Sequence, residues 1–387
     1  MTKLSTITRL AISAFGAIML AAPSVSPGHA QSAPLKVGFL MPLTGGSSKL
    51  GQLMLEGATI GVDEVNASGG VGGHPLQLIP EDSQGLSKNG IDGFRKLVDI
   101  DGVHVIITGF TPVVVGVAPL SKEAKVYLIS ASTASPALRG ISPYFQSTWM
   151  YDDETVRRIL PYAQKTLGVK RLAVLTALND LGESLAASVK QEWQRLGGTL
   201  AIEEGHQAQE INFRPSLLKI IAAQPDAIYF TNSNGKQAAQ FIRQARDLGF
   251  EGYILSFGAF EDPEVLAVGA KAAKTYYTAP PYDPNASAER SRKFVDAFRA
   301  KYDRLPNIHQ ANHYDLIMMI KAVAEKLMRD GKPVDGEDFR AAITASMAQY
   351  DGAAGPYRLN FQDGSTLRAT IVKTVRDGAF VKVADAD

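Results

Sequence analysis

With 387 residues, a formal net charge of +1 and no cysteine, the sequence excludes several classes of function at the outset. A near-neutral chain lacks the electrostatic footprint of a nucleic-acid partner, and the missing thiols exclude a disulfide framework, a thiolate metal site, a cysteine nucleophile and a cysteine-borne lipid anchor. The length exceeds what one hydrophobic core usually organises and predicts two lobes.

Residues 1–30 read as a secretory signal peptide that is cleaved and takes no part in the fold. Lys3 and Arg9 supply the positive start, residues 10–22 an apolar run too short for a comfortable membrane span, and Gly28-His29-Ala30 a small-residue cleavage site before Gln31. Export without a lipid-bearing cysteine predicts a freely soluble protein of a bacterial periplasm.

The remaining chain alternates short β-branched runs with helical periodicity. K-V-G-F-L-M at 36–41 reads as a strand, followed by the turn-rich loop P-L-T-G-G-S-S-K-L-G, a helix over 53–65 stopped by Asn66 and Gly69-Gly70, and a strand over 76–80. The run G-G-V-G-G-H-P between that helix and that strand is a turn, since a phosphate-binding fingerprint needs its glycines after a strand and before a helix. A helix over 90–99 leads to two buried parallel strands, 103–107 and 126–129, with a helix between them. Both end in hydroxyl clusters: Thr108 and Thr111 after the first, Ser130, Ser132, Thr133 and Ser135 after the second. In an open parallel sheet, ligands bind beyond the carboxyl ends of the strands, so these hydroxyls are placed to hold a small anion. The competing reading makes them helix caps and turn residues.

A short strand over 144–148 and a helix over 155–166 close this series, and a second begins. Strands over 171–175, 200–204, 227–230, 252–256 and 273–278 are interleaved with helices over 182–196, 213–223 and 236–248. This alternation predicts two doubly wound α/β lobes. A proline-rich break, A-P-P-Y-D-P-N-A-S-A, marks a candidate crossing between lobes, followed by helices over 289–301, 310–329 and 338–345 and an antiparallel β tail. His309 and His313 have the four-residue spacing of a zinc pair, but H-Q-A-N-H lacks the glutamate of a metalloprotease and no third ligand is identifiable. His104, inside an apolar strand, reads as a core histidine. Without a G-x-S-x-G elbow or a P-loop, no catalytic residue, metal or cofactor is expected.

Four motifs in order, K-V-G-F-L-M-P-L-T-G, L-G-x-x-x-x-E-G-A-x-I-x-V-D-E-V-N-A-S-G-G-V-G-G, I-S-A-S-T-A-S-P and A-A-Q-F-I-R-Q-A-R-D-L-G, carry a family resemblance. Behind a signal peptide, they make the chain resemble the periplasmic substrate-binding proteins of branched-chain amino acid type ABC transporters over essentially all of 35–383. The resemblance implies a type I periplasmic binding fold, in which two doubly wound, Rossmann-like α/β lobes joined by a three-strand hinge close on a small molecule. Lobe 1 would span 35–148 and 279–352, and lobe 2 149–278 and 353–387. A small-molecule carboxylate as ligand, the membrane permease of an ABC importer as partner, and a monomer that docks on it are the corresponding expectations.

Carried over by position, the resemblance assigns the ligand carboxylate to Thr111 on the loop after the third strand and to Ser132, Thr133 and Ala134 on the loop after the fourth. Several N–H and O–H donors can hold a carboxylate without a buried counter-charge. Ala134 stands where relatives often carry Thr and offers only its N–H. Amino acid binders of this type tend to carry an acid after the strand matching 252–256 to pair with the ligand's ammonium, and here Gly258 falls at that position. An unpaired buried ammonium is costly, so the expected ligand is a hydrophobic or aromatic carboxylic acid. A branched-chain or aromatic amino acid is the alternative, with Glu261 or Asp262 in the missing acid's role. Leu181 replaces the tyrosine of a D-x-Y-G pattern and Leu50 stands where several relatives carry an aromatic residue; both make the cleft more apolar. Phe110, Phe257, Phe260, Tyr277 and Tyr282 lie near predicted loop edges, where they could stack on a ring or fill the core. The helix holding His309 and His313 begins near the cleft in relatives, which favours a ligand-facing or capping histidine.

Overall fold

The computed structural model describes residues 32–207 and 209–386; the expected signal peptide lies outside the described residues. The chain first lays down β1 (Leu35–Met41), α1 (Ser48–Ala67), β2 (Leu76–Asp82), α2 (Ser87–Arg95), β3 (Val105–Thr108), α3 (Thr111–Ala124), β4 (Tyr127–Ser130) and β5 (Phe145–Ser147). These strands form one parallel sheet in the order β2-β1-β3-β4-β5. Alternation of side chains decides the packing: Val37, Phe39, Val105, Ile107, Tyr127 and Ile129 enter one core, while Leu40, Ile106 and Leu128 enter the core on the opposite face. Burial on both faces is why these strands read as unbroken apolar runs.

The next stretch repeats the plan with α4 (Asp152–Lys165), β6 (Arg171–Leu178), α5 (Asp180–Arg195), β7 (Thr199–Gln207), α6 (Arg214–Ala222), β8 (Ala227–Phe230), α7 (Gly235–Asp247), β9 (Tyr253–Ser256), α8 (Pro263–Leu266) and β10 (Thr275–Ala279). Its parallel strands stand in the order β10-β9-β8-β6-β7, the same winding as in the first sheet. Ala173, Leu175, Ile228 and Phe230 face one core, and Leu172, Val174, Ala227 and Tyr229 the other.

The chain then returns to the first core with α9 (Glu289–Tyr302), α10 (Ile308–Arg329) and α11 (Gly336–Ser346). A small antiparallel sheet of β11 (Gln349–Gly352), β12 (Gly355–Asn360) and β13 (Ser365–Leu367) follows, and β14 (Ile371–Arg376) and β15 (Ala379–Asp385) finally extend the second sheet, antiparallel to β10 and to each other. Helices α1 and α10 pack with almost no space between their backbones. A Cβ on Gly57 would lie 2.1 Å from the Gln310 carbonyl oxygen, so glycine at this point fixes where α10 begins.

The chain passes between the two large sheets three times, after β5, after β10 and after β13. Around the third passage, the stretch that follows residue 352 packs on the first core. Ala353, Ala354, Tyr357 and Leu359 are buried in the first core, and the Tyr357 hydroxyl donates to Asn312 at 2.7 Å and to Asp315 at 2.9 Å on α10. Alternation in the sequence marks a hairpin, but it carries no information about which of two cores the hairpin covers.

Candidate functional site

Where β1 lies between β2 and β3, the strand order of the first sheet reverses, and this is where open parallel sheets leave a crevice at their carboxyl ends. A cavity of about 440 Å³ opens there. The first-sheet side contributes Leu50 and Met54 from α1, Ser132 and Ala134 from the loop after β4, and Asn307, Ile308 and His309 from the start of α10. Phe257, Gly258 and Glu261 come from the segment after β9, and all three passages between sheets add residues: Trp149 and Met150, Pro280 and Tyr282, Arg368 and Thr370.

The hydroxyl clusters divide between two jobs. Ser130 Oγ accepts from the Ser132 amide at 3.2 Å and from the Thr133 hydroxyl at 3.3 Å, and Thr133 Oγ1 also lies 3.3 Å from Ser147 Oγ. Ser135 Oγ accepts from the Ala137 amide at 3.3 Å and caps a short turn. Ser135 Oγ also donates to Ser184 Oγ on α5 at 3.4 Å, so all three are taken up by partners within the protein. Ser132 differs: its Oγ is buried, has no partner among the described residues, and lines the cavity. It packs so tightly against Gly109 that a Cβ there would lie 2.0 Å from Ser132 Oγ. The Ala134 carbonyl takes the Asp152 amide at 2.7 Å, and no acceptor among the described residues takes the Ala134 amide.

Of the other expected site residues, Leu50, Phe257, Gly258 and Tyr282 line the cavity with Ser132 and Ala134. Thr111, Phe110, Thr133 and Leu181 do not. Thr111 is the first residue of α3 and Leu181 lies in the first turn of α5, each half-buried. Phe110 has φ 65°, unfavourable for a bulky side chain, and its ring packs against both cores of the first sheet. Phe260 and Tyr277 are wholly buried in a core of the second sheet. Of the two acids considered for an ammonium, Asp262 caps α8 by accepting from the Glu264 amide at 2.9 Å. Glu261 lines the cavity but is ion-paired with Lys373. At Gly258 a Cβ would meet only the Thr278 carbonyl oxygen, at 3.6 Å, so a side chain there would have room.

Sequence reasoning missed Trp149, Asp152 and Arg368. The Trp149 ring stacks on His309 with centroids 5.5 Å apart and planes at 12°. Burial pushes the His309 imidazole down to about 4, so the ring is neutral at pH 7. His313 donates Nδ1–H to the His309 carbonyl at 2.8 Å, and no group of three metal-ligating residues occurs among the described residues. Arg368 lies over the Tyr357 ring and donates to Asn312 Oδ1 at 2.8 Å and to the Ala354 carbonyl.

Five residues that line the cavity each carry a buried polar atom with no partner among the described residues: Ser132 Oγ, Asp152 Oδ2, Thr278 Oγ1, Tyr282 OH and His309 Nδ1. Buried polar groups are nearly always hydrogen-bonded, so such a cluster marks a wall built for an external partner. Of the two tryptophans in the chain, Trp193 is sealed in a core and Trp149 borders this cavity. A molecule entering the cavity is therefore expected to change the emission of Trp149, and the change is expected to vanish in Trp149→Phe; an equal response from that variant would place the molecule elsewhere.

A family model described as "Periplasmic binding protein" matches residues 34–379. Leu/Ile/Val-binding protein BraC3 of Rhizobium johnstonii is 26% identical over 315 residues, covering 80% of this chain and 83% of the relative. Among solved structures, leucine binding protein LivK of Thermotoga maritima superposes with a TM-score of 0.80 at 24% identity, covering 91% of this chain and 99% of that one. A solute binding protein of an ABC transporter from Rhodopseudomonas palustris, in complex with 3,4-dihydroxy benzoic acid, gives 0.79 at 23% identity over 92% and 97%. The double winding, the cleft lined by all three passages and the match along nearly the whole described chain lead to one conclusion: the chain belongs to the periplasmic binding protein family.

Proposed function

We propose that this protein captures a hydrophobic or aromatic carboxylate in the cleft and delivers it to the membrane permease of an ABC importer. The observation that carries the reading is the set of five cavity-lining residues, each with an unpartnered buried polar atom, on an otherwise largely apolar wall. Ser132 Oγ–H and the Ala134 amide hold the carboxylate, while Leu50, Met54, Trp149 and Phe257 receive the apolar end. The first sheet's loop binds first, and closure of the second sheet's loops over the apolar end is stabilised by the contacts the ligand makes. Export by cleavage of residues 1–30 puts the mature monomer in the periplasm.

Similar proteins fall on both sides of the choice of ligand. BraC3 is a Leu/Ile/Val-binding protein, whereas two Rhodopseudomonas palustris neighbours hold 3,4-dihydroxy benzoic acid and benzoate. The absence of a side chain at Gly258 and the engagement of Glu261 by Lys373 favour acids without an amine. A thermal-shift screen of the mature protein against amine-free aromatic and branched acids and against hydrophobic amino acids tests this. A ligand at about 100 to 1,000 times its Kd stabilises the folded state by ~3–4 kcal/mol. Response to the amine-free acids alone supports the reading. Response to amino acids alone overturns the ligand class, and silence in both panels overturns the cleft's role. A sensor that reports the ligand to a membrane receptor would respond alike and would differ in failing to support uptake when coupled to a permease.

A further inference from the structure

Neither the motif positions nor the hydroxyl pattern points to Asp152, an ionisable side chain of the cleft. Asp152 opens α4 and is 1% exposed, yet it lines the same cavity as Ser132 and Ala134. Its amide donates to the Ala134 carbonyl at 2.7 Å, so its side chain starts beside the loop assigned to the ligand carboxylate. Among the described residues nothing donates to its carboxyl, and Oδ2 is buried without a partner.

An ionised carboxylate at this point would be stripped of water with no hydrogen bond and no cation against it. The surrounding groups do not relieve that. Asp153 on the same helix adds like charge and is itself engaged by Arg139. Tyr229 on β8 has a buried hydroxyl without a partner. Elsewhere on the cavity wall Lys373 is paired with Glu261, Arg368 is turned to Asn312 and the Ala354 carbonyl, and His309 is held neutral by burial. Burial, reinforced by Asp153, pushes the Asp152 carboxyl well above the usual carboxylate range.

We infer that Asp152 is a further ligand-binding residue, which enters the complex as a neutral carboxyl and donates a hydrogen bond to the ligand's carboxylate. The proton stays on Asp152, and no covalent bond is made or broken. Hydrogen bonds of this O–H to carboxylate type are among the short, strong ones, and the neutral form turns an acid that would repel an anion into a third donor beside Ser132 and Ala134. The inference rests on reading the cleft as a carboxylate site, and it narrows the ligand to acids without an amine. An ammonium next to the ligand's carboxylate would draw Asp152 into its ionised form and pair with it instead.

Benzoate, 4-methylpentanoate and L-leucine are the probes, titrated calorimetrically into the mature protein in two buffers of different ionisation enthalpy, which counts protons without any variant. The amine-free acids are expected to bind with net proton uptake on the alkaline side and to weaken as pH rises, because the free carboxyl must regain its proton to donate. In Asp152→Asn, which offers a donor that does not titrate, that pH dependence is expected to disappear. Asp152→Ala, which offers none, is expected to bind ~10–100-fold more weakly than Asp152→Asn at about pH 6. Amine-free acids that bind without proton uptake, and with the same pH profile in wild type and Asp152→Asn, would overturn the inference while leaving the carboxylate reading intact. Binding of L-leucine alone would also overturn it, with Asp152 left as the ammonium's partner. Failure of all three probes to bind removes the carboxylate reading itself, and this inference with it.

Discussion

Ser132→Asp is expected to lose carboxylate binding by ~100–1,000-fold with little change in melting temperature. Ser132 Oγ is the one hydroxyl of the β3 and β4 clusters that both lines the cavity and has no protein partner. Setting a carboxylate there opposes the ligand's charge at about 4 Å, worth ~4 kcal/mol at an effective dielectric constant of about 20. Gly109 leaves no room on one side of Ser132, so the larger side chain must turn into the cavity, where the fold has little to lose. Ser132→Ala removes one hydrogen bond to a charged group and is expected to cost only ~1.5–3 kcal/mol of binding, so the order of the two variants separates a lost donor from an imposed charge. Calorimetric titration with benzoate, alongside melting curves, reads both. Normal binding by Ser132→Asp would mean that the anion site lies elsewhere in the cleft.

The largest effect on stability is expected at Asp315, one residue beneath the cleft's surface. Its carboxylate accepts from the Ala353 amide at 2.7 Å, the Ala354 amide at 2.9 Å and the Tyr357 hydroxyl at 2.9 Å. Burial pushes it up to about 6, against those hydrogen bonds and the pull of the Arg368 guanidinium, so it is charged at pH 7. Asp315→Ala would leave two buried amides without an acceptor, while Arg368 would keep its hydrogen bonds to Asn312 and the Ala354 carbonyl. A buried donor left unpaired costs ~1–3 kcal/mol, so losing the acceptor of two amides is expected to cost ~2–6 kcal/mol, readable as a fall in the urea midpoint with the slope unchanged. The loss would also reach the cleft, because Asp315 ties the start of the β11–β13 sheet to α10, and Arg368 leads the third passage between sheets. A change below about 1 kcal/mol would show that the two amides find other acceptors and that the network is not what anchors this passage.

Much of the fold was legible because it follows from local rules. Runs such as V-I-I-T and Y-L-I-S are too short for helices, and their alternate residues divide between two cores as period-two geometry requires. The limits of local rules appear at particular residues. Ser130, Ser132, Thr133 and Ser135 are chemically alike over six positions, and the turn of the backbone alone sends three of them into hydrogen bonds within the protein and one to the cavity. Phe257 and Tyr282 line the cleft while Phe260 and Tyr277, equally aromatic and close to them in sequence, are sealed in a core.

By itself the sequence determined the two doubly wound sheets, the family, the loop after β4 as a place to look and the lack of an acid at Gly258, since each is written in contiguous residues or in spacing. Only the tertiary structure decided that β12 covers the first core, that Trp149 stacks on His309, and that Asp152 and Arg368 reach the same cavity as Ser132. Those residues sit on the first and third passages, at the start of α10 and in the loop after β4, widely separated along the chain. What brings them together is the closing of two separately packed sheets, a long-range event that no local pattern of apolar and polar residues encodes.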